Sequence, residues 1–184
     1  MNFIKKLLDF FQGSRSKDYE LYLPAYTAIV KQARKPELYG PGMAPDSFDG
    51  RFDMMVLHVY LVLKRLKADG QARHGAGQVL FDLFFRDMDQ AMREMGVGDL
   101  GVGKKVKKMA EAFYGRVHAY DTAFADTDET ALQRTLGRNL YPETPDDLAP
   151  ELADYAKALD AYLSKQGCDD ILGRDAFSGF GSQQ

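Results

Sequence analysis

The sequence predicts an all-α protein, a single compact bundle of about six helices, and three observations lead there. Ala and Leu number 20 each among 184 residues, whereas Val and Ile together number only 12. Helices favour the first pair and strands the β-branched pair. Apolar residues also recur at steps of three and four, and no segment alternates with the period of two that a half-buried strand requires. Finally, the one cysteine, Cys168, leaves no disulfide framework and no cysteine-based zinc site. A chain of this length buries a core without such staples, and sparse cysteine suits a reducing compartment.

Pro24 suits a first helical turn, after which Tyr26, Ile29, Val30 and Ala33 keep helical spacing up to a stop before Pro36. A second helix follows Asp49 and Asp53, which read as its cap. Its run over 54–63 is apolar all round except for His58, so it is the buried central helix, and Lys64, Arg65 and Lys67 close it against the negative end of its dipole. A third helix is expected over 78–95, with Gly96 ending it. A fourth, over 104–120, carries Val106, Met109, Ala110, Phe113, Val117 and Tyr120 on one face. The run 126–129 resembles a capping box for a short helix through Leu136. A last helix spans 150–166, ended by Gly167. The organisation is therefore an amphipathic segment and linker (1–18), a helical domain (19–167) and a C-terminal tail (168–184), frayed from Ser178 onward.

The first eleven residues place Phe3, Ile4, Leu7, Leu8, Phe10 and Phe11 around Lys5, Lys6 and Asp9. Three readings stand: a short helix docked on the protein's own core, contact with a membrane surface, or a disordered start. A cleavable signal would need a longer apolar centre, and a transit peptide would be Arg-rich and free of acids. No apolar run approaches the ~20 residues of a membrane span.

Net charge is −3, so the whole molecule is no polybasic nucleic-acid binder. The charge is nevertheless segregated. Lys104, Lys105, Lys107 and Lys108 with Arg116 give residues 101–118 a net +4, whereas residues 126–160 carry −6. The lysine cluster is either a solvated face or a docking surface for something anionic, such as ribosomal RNA, lipid headgroups or an acidic partner. The run 96–105 contains a literal G-x-G-x-x-G, but a helix precedes it where a nucleotide site needs a buried strand, and Lys105 replaces the metal-holding hydroxyl. A Gly-rich connection between two helices accounts for the run more simply. No Glu has a His three residues later, no H-E-x-x-H or G-x-S-x-G occurs, and Cys168 has no neighbouring base. No catalytic residue, cofactor site or metal site is assigned. His58 reads as a core histidine bonded to a neighbour, His74 as a loop residue and His118 as a cap or pairing group. Most methionines read as core, with a remainder available to an adaptable surface.

Three blocks are distinctive together: 30–39 (VKQARKPELY), 49–58 (DGRFDMMVLH), and 92–99 (MREMGVGD) through Tyr114, Gly115, Arg116 and Tyr120. In this order and spacing they resemble the ubiquinol–cytochrome c chaperone family, over about residues 20–125, with the acidic segment and last helix following more loosely. The resemblance implies a non-catalytic assembly chaperone of the cytochrome bc1 complex that binds newly made cytochrome b. Its mitochondrial members work at the ribosome exit with a small partner protein. It implies no cofactor, no small-molecule substrate and no sequence-specific nucleic acid. With no transit peptide apparent, the expected setting is a bacterial cytoplasm, at the inner face of the membrane, with the ribosome or an anionic membrane surface as a further partner. Arg51, the four lysines and Arg116 are the expected partner-binding residues. The alternative is a peripheral membrane scaffold anchored by its amphipathic start.

Overall fold

The computed structural model describes residues 16–68, 75–144 and 147–181. Helix α1 spans Ser16–Ala33, and a 3-10 turn, Pro36–Leu38, leads to α2, Phe48–Ala68. Then come α3 (Ala76–Glu94), α4 (Asp99–Ala125), α5 (Ala131–Leu140), α6 (Pro150–Ser164) and the short α7 (Cys168–Ile171). The described residues contain no strand, only an isolated bridge between Tyr39 and Ala44.

The all-round apolar stretch of α2 is the centre of the molecule. Met54, Val56, Val59, Leu61 and Val62 have no exposed surface, and α2 touches every other described helix. Around it, α1 packs on α3, α3 on α4, α4 on α5 and α5 on α6. The remaining gap, between α6 and α1, is bridged by a hydrogen bond from Gln32 Nε2 to Tyr155 Oη at 3.0 Å. One aromatic cluster joins α3 to α4: Phe81, Phe84, Phe85 and Phe113, with ring centroids 4.5–5.8 Å apart.

Several boundaries depart from the sequence expectation. Helix α1 runs from Ser16, so Pro24 lies inside it rather than in its first turn. A proline there forfeits one backbone hydrogen bond, and the burial of Tyr22, Ala25, Tyr26 and Ile29 on the same helix offsets that loss. Helix α4 begins five residues early, at Asp99, because Gly101 and Gly103 are helical; the buried Val102 between them offsets part of their propensity cost. Only Gly96 supplies the expected turn: at φ +82° it ends α3, with Val97 N–H donating to Met92 O and Gly96 N–H to Arg93 O. Helix α5 starts after the anticipated capping box. Asp126 and Asp128 instead accept the N–H groups of Asp128 and Thr130 in two successive turns, and Asp128 pairs with Arg134. The C-terminal segment is packed: Ile171, Leu172, Ala176 and Phe177 are buried, and Phe180 lies 5.6 Å from Tyr155 and 5.4 Å from Tyr162.

Candidate functional site

Tyr39 of the first distinctive block, Arg51, Phe52 and Asp53 of the second and Arg116 of the third meet at the start of α2. Ser47 Oγ caps α2 by accepting the Gly50 N–H at 3.1 Å. Gly50 is required there, because a Cβ would sit 2.1 Å from the Pro45 carbonyl oxygen. Arg51 pairs with Asp46 at 2.7 Å and lies 5.0 Å above the Tyr39 ring, so the second block is tied to the first. Phe52 stacks on Phe84 at 5.8 Å.

Asp53 is no cap. Its carboxylate is 3% exposed and faces Arg116 of α4, which reaches it through Nε and, at 3.2 Å, through Nη2. The same guanidinium lies 5.4 Å over the Phe52 ring. Burial pushes the Asp53 carboxyl up to about 6, although Arg116 pulls the other way. A buried ion pair gains little net stability, because two desolvated charges offset their attraction. What it supplies is a fixed relation between α2 and α4. Arg116 and Arg51, the two arginines expected at a partner surface, are thus both held by groups of their own chain.

His58 is fully buried as expected. Its Nδ1 donates to Met54 O and its Nε2 accepts from Tyr155 Oη, both at 2.7 Å, and Gln32 Nε2 donates in turn to that oxygen. This relay ties α1, α2 and α6 together with every member satisfied. Burial holds the imidazole down at about 4, so it stays neutral, as the relay requires. Gln32 and Tyr155 carry no sequence signal for this role, since their spacing matches any surface helix.

The lysines stand apart from that packing. At about 100° per residue, Val102, Val106, Met109, Ala110, Phe113 and Tyr120 form the inner face of α4, while Lys104, Lys105, Lys107 and Lys108 are exposed on the outer one. Lys107 reaches Glu111 at 4.0 Å. The other three make no ion pair among the described residues. Asp99, the acid in the first turn of α4, is engaged by Arg93. Four cations therefore crowd the second and third turns of α4, with pairs three and four residues apart whose like charges oppose one another. Tyr114, 38% exposed, sits two turns beyond Lys107 on the same side.

Of the methionines, Met54, Met55, Met88, Met92 and Met109 are buried; Met95 is 56% exposed at the α3–α4 turn, and Met43 is partly buried against the core. The amphipathic start, with Phe3, Ile4, Leu7, Leu8, Phe10 and Phe11, and the residue His74 lie outside the described residues. Among the described residues, no helix is long and apolar enough to cross a membrane, and no group of three or more His, Cys, Asp or Glu is arranged to hold a metal.

Comparison with known proteins gives this arrangement a context. The ubiquinol-cytochrome C chaperone family model matches residues 43–176, which takes in the start of α2, the lysine face, the acidic segment and α6. The first block lies ahead of that match. Ubiquinol-cytochrome c reductase complex assembly factor 1 of Mus musculus is 26% identical over 152 residues, covering 82% of this chain and 51% of that protein. The Xenopus laevis counterpart is also 26% identical over 152 residues, with 82% and 76% covered. The Homo sapiens counterpart is 26% identical over 154 residues, with 82% and 50% covered. The chain thus spans about half the length of the mouse and human relatives. Among solved structures, the Cbp3 homolog from Brucella abortus superposes with a TM-score of 0.72 at 34% identity, covering 91% of this chain and 93% of that one. With a match over most of the chain, a shared fold, and residues from all three blocks meeting in one cluster, the chain belongs to the ubiquinol-cytochrome c chaperone family.

Proposed function

We propose that this protein is a non-catalytic assembly factor for the cytochrome bc1 complex (complex III) that holds newly made cytochrome b. In this reading it works from the cytoplasmic face of the membrane, with the exposed lysine face of α4 resting on anionic lipid. Family membership supports the assembly role. The observation that carries the surface assignment is the lysine row itself. Like charges three and four residues apart on a helix cost about 0.2–0.5 kcal/mol per pair, and Lys104, Lys105 and Lys108 have no ion-pair partner among the described residues to offset it. Lysines flanked by a half-exposed tyrosine match the chemistry of a headgroup layer.

The test is flotation with phosphatidylglycerol and phosphatidylcholine vesicles, together with capture of pulse-labelled cytochrome b on the tagged protein. Wild type is expected to float with phosphatidylglycerol alone, more weakly as salt rises, and to retain cytochrome b. Lys104→Glu, Lys105→Glu, Lys107→Glu and Lys108→Glu combined should abolish flotation. Unchanged flotation of that variant removes the lysine face from the account, and cytochrome b capture no better than an unrelated membrane protein refutes the client assignment.

A further inference from the structure

The ring of helices around α2 is least complete between α6 and α1, where the C-terminal turns are laid into the gap. They leave a cleft of about 290 Å³ between themselves and α1. On the α1 side, Lys31 and Gln32 of its last turn and Lys35, just past its end, line it; on the other, Arg174, Phe177 and Phe180 do. Three cations thus converge on one small space in a protein whose net charge is negative. Among the described residues, Asp175 is the one carboxylate lining it. Lys35 has a loose partner in Glu37 at 3.9 Å, and Lys31 and Arg174 have no ion pair among the described residues.

The cleft is built on a rigid base. Gln32 is 3% exposed and fixed by Tyr155 within the His58 relay, while Phe180 packs on Tyr155 and Tyr162. Phe177 is buried and forms an apolar wall. The opening therefore offers a cleft with Phe177 and Phe180 on one wall and an arginine fork and two ammonium groups, four residues apart in sequence, around it. That is the geometry for a carboxylate carried next to an apolar or aromatic side chain. The volume lies at the small end of ligand pockets and admits one or two side chains rather than a cofactor. A membrane would need large exposed apolar groups at the rim; those exposed among the described residues are Leu21, Leu23, Phe48, Met95, Tyr114 and Leu148, none of which lines the cleft.

We propose that the cleft between α1 and the C-terminal turns is a docking site for an acidic peptide segment of a protein partner, carboxylate to Arg174, Lys31 and Lys35 and an adjacent apolar side chain against Phe177 and Phe180. It shares no residue with the lysine face of α4 and stands independently of the complex III reading. Fluorescence anisotropy tests it with a fluorescein-labelled peptide alternating glutamate and phenylalanine, and with its glutamine–phenylalanine counterpart. The glutamate peptide is expected to bind about tenfold or more tightly than the glutamine peptide, and to weaken as salt rises. Lys31→Glu with Arg174→Glu should remove that preference, and Lys31→Gln with Arg174→Gln should reduce it. Both sites are exposed, so circular dichroism should be unchanged. The combined Glu variant of the α4 lysines should bind like wild type. Equal binding of the two peptides, undiminished binding by the Lys31/Arg174 variants, or loss of binding through the α4 variant overturns the proposal. So does a result in which phosphatidylglycerol vesicles, and not the peptide, lose binding in the Lys31/Arg174 variants, which assigns the cleft to lipid phosphate.

Discussion

Replacing Arg116 by methionine strips the counter-ion from a carboxylate that has almost no contact with water. Asp53 is 3% exposed, and its charged form is tolerated because Arg116 faces it through two nitrogens. Removing one partner of such a pair costs about 3–5 kcal/mol, and methionine keeps much of the contact with Phe52, so the loss is mainly electrostatic. The pH dependence has a definite sign. The folded-state pKa of Asp53, about 6, lies above its ordinary value of 3.8, so the folded state binds the proton more tightly. The stabilisation from that proton is present at low pH and is lost as pH rises through the folded value. Without Arg116 the carboxyl titrates higher still. The penalty of Arg116→Met relative to wild type should therefore shrink by about 1.4 kcal/mol between about pH 7 and about pH 5, the worth of one pKa unit. Asp53→Asn alone should cost a similar amount by orphaning the arginine, and the double variant should recover to within about 1 kcal/mol of wild type. Urea denaturation followed by far-ultraviolet circular dichroism measures all of these. A penalty for Arg116→Met below about 1 kcal/mol at about pH 7, or one that does not change with pH, would refute the reasoning.

Other predictions concern separate parts of the fold. Burial lowers the folded pKa of His58 from 6.5 to about 4. Its contribution is thus complete above the unfolded value and is lost as pH falls from 6.5 towards 4, by up to about 3 kcal/mol; an NMR titration showing His58 charged by about pH 6 contradicts the relay. Gly137→Ala and Gly50→Ala would set a Cβ 1.8 Å from Asp147 O and 2.1 Å from Pro45 O respectively, so each should cost about 1–3 kcal/mol or more in denaturation. Gly115→Ala, in α4 with nothing within 4 Å, should instead stabilise by about 0.5–1 kcal/mol. Reversing Lys104, Lys105 and Lys108 to Glu should abolish vesicle binding and leave the midpoint of thermal unfolding nearly unchanged, because the three side chains are exposed and lie beyond the first turn of α4. A fall in the midpoint would mean the lysines serve the fold.

The helices are legible where burial and spacing agree. The run 54–63 fits nothing but a central helix, and it is the axis of the molecule. Glycine misleads at 101 and 103: propensity alone argues for a loop, but the buried faces of Val102 and Val106 carry the helix through. Aspartate misleads at 53, where an acid near a helix start suggests a cap; Ser47 occupies that role, and Asp53 points into the core because Arg116, 63 residues on, meets it there. No local pattern reveals such a pairing. The distinctive blocks mark the right neighbourhood without showing why, which is that Tyr39, Arg51, Phe52, Asp53 and Arg116 pack as one unit. The lysines are visible from charge and helical spacing alone; what stays hidden is that α4 starts at Asp99, which puts them in its second and third turns. The packed C-terminal turns escape a reading of periodicity because Phe177 and Phe180, three residues apart, are one isolated pair among Ser and Gly, too short a run to mark a helix.

The central claim is that this protein serves the assembly of complex III, and gene deletion in the host tests it most directly. Native gels and haem spectra of the deletion strain should show loss of assembled bc1 complex and of cytochrome b, restored by the wild-type gene. Normal amounts of both in the deletion strain would contradict the account.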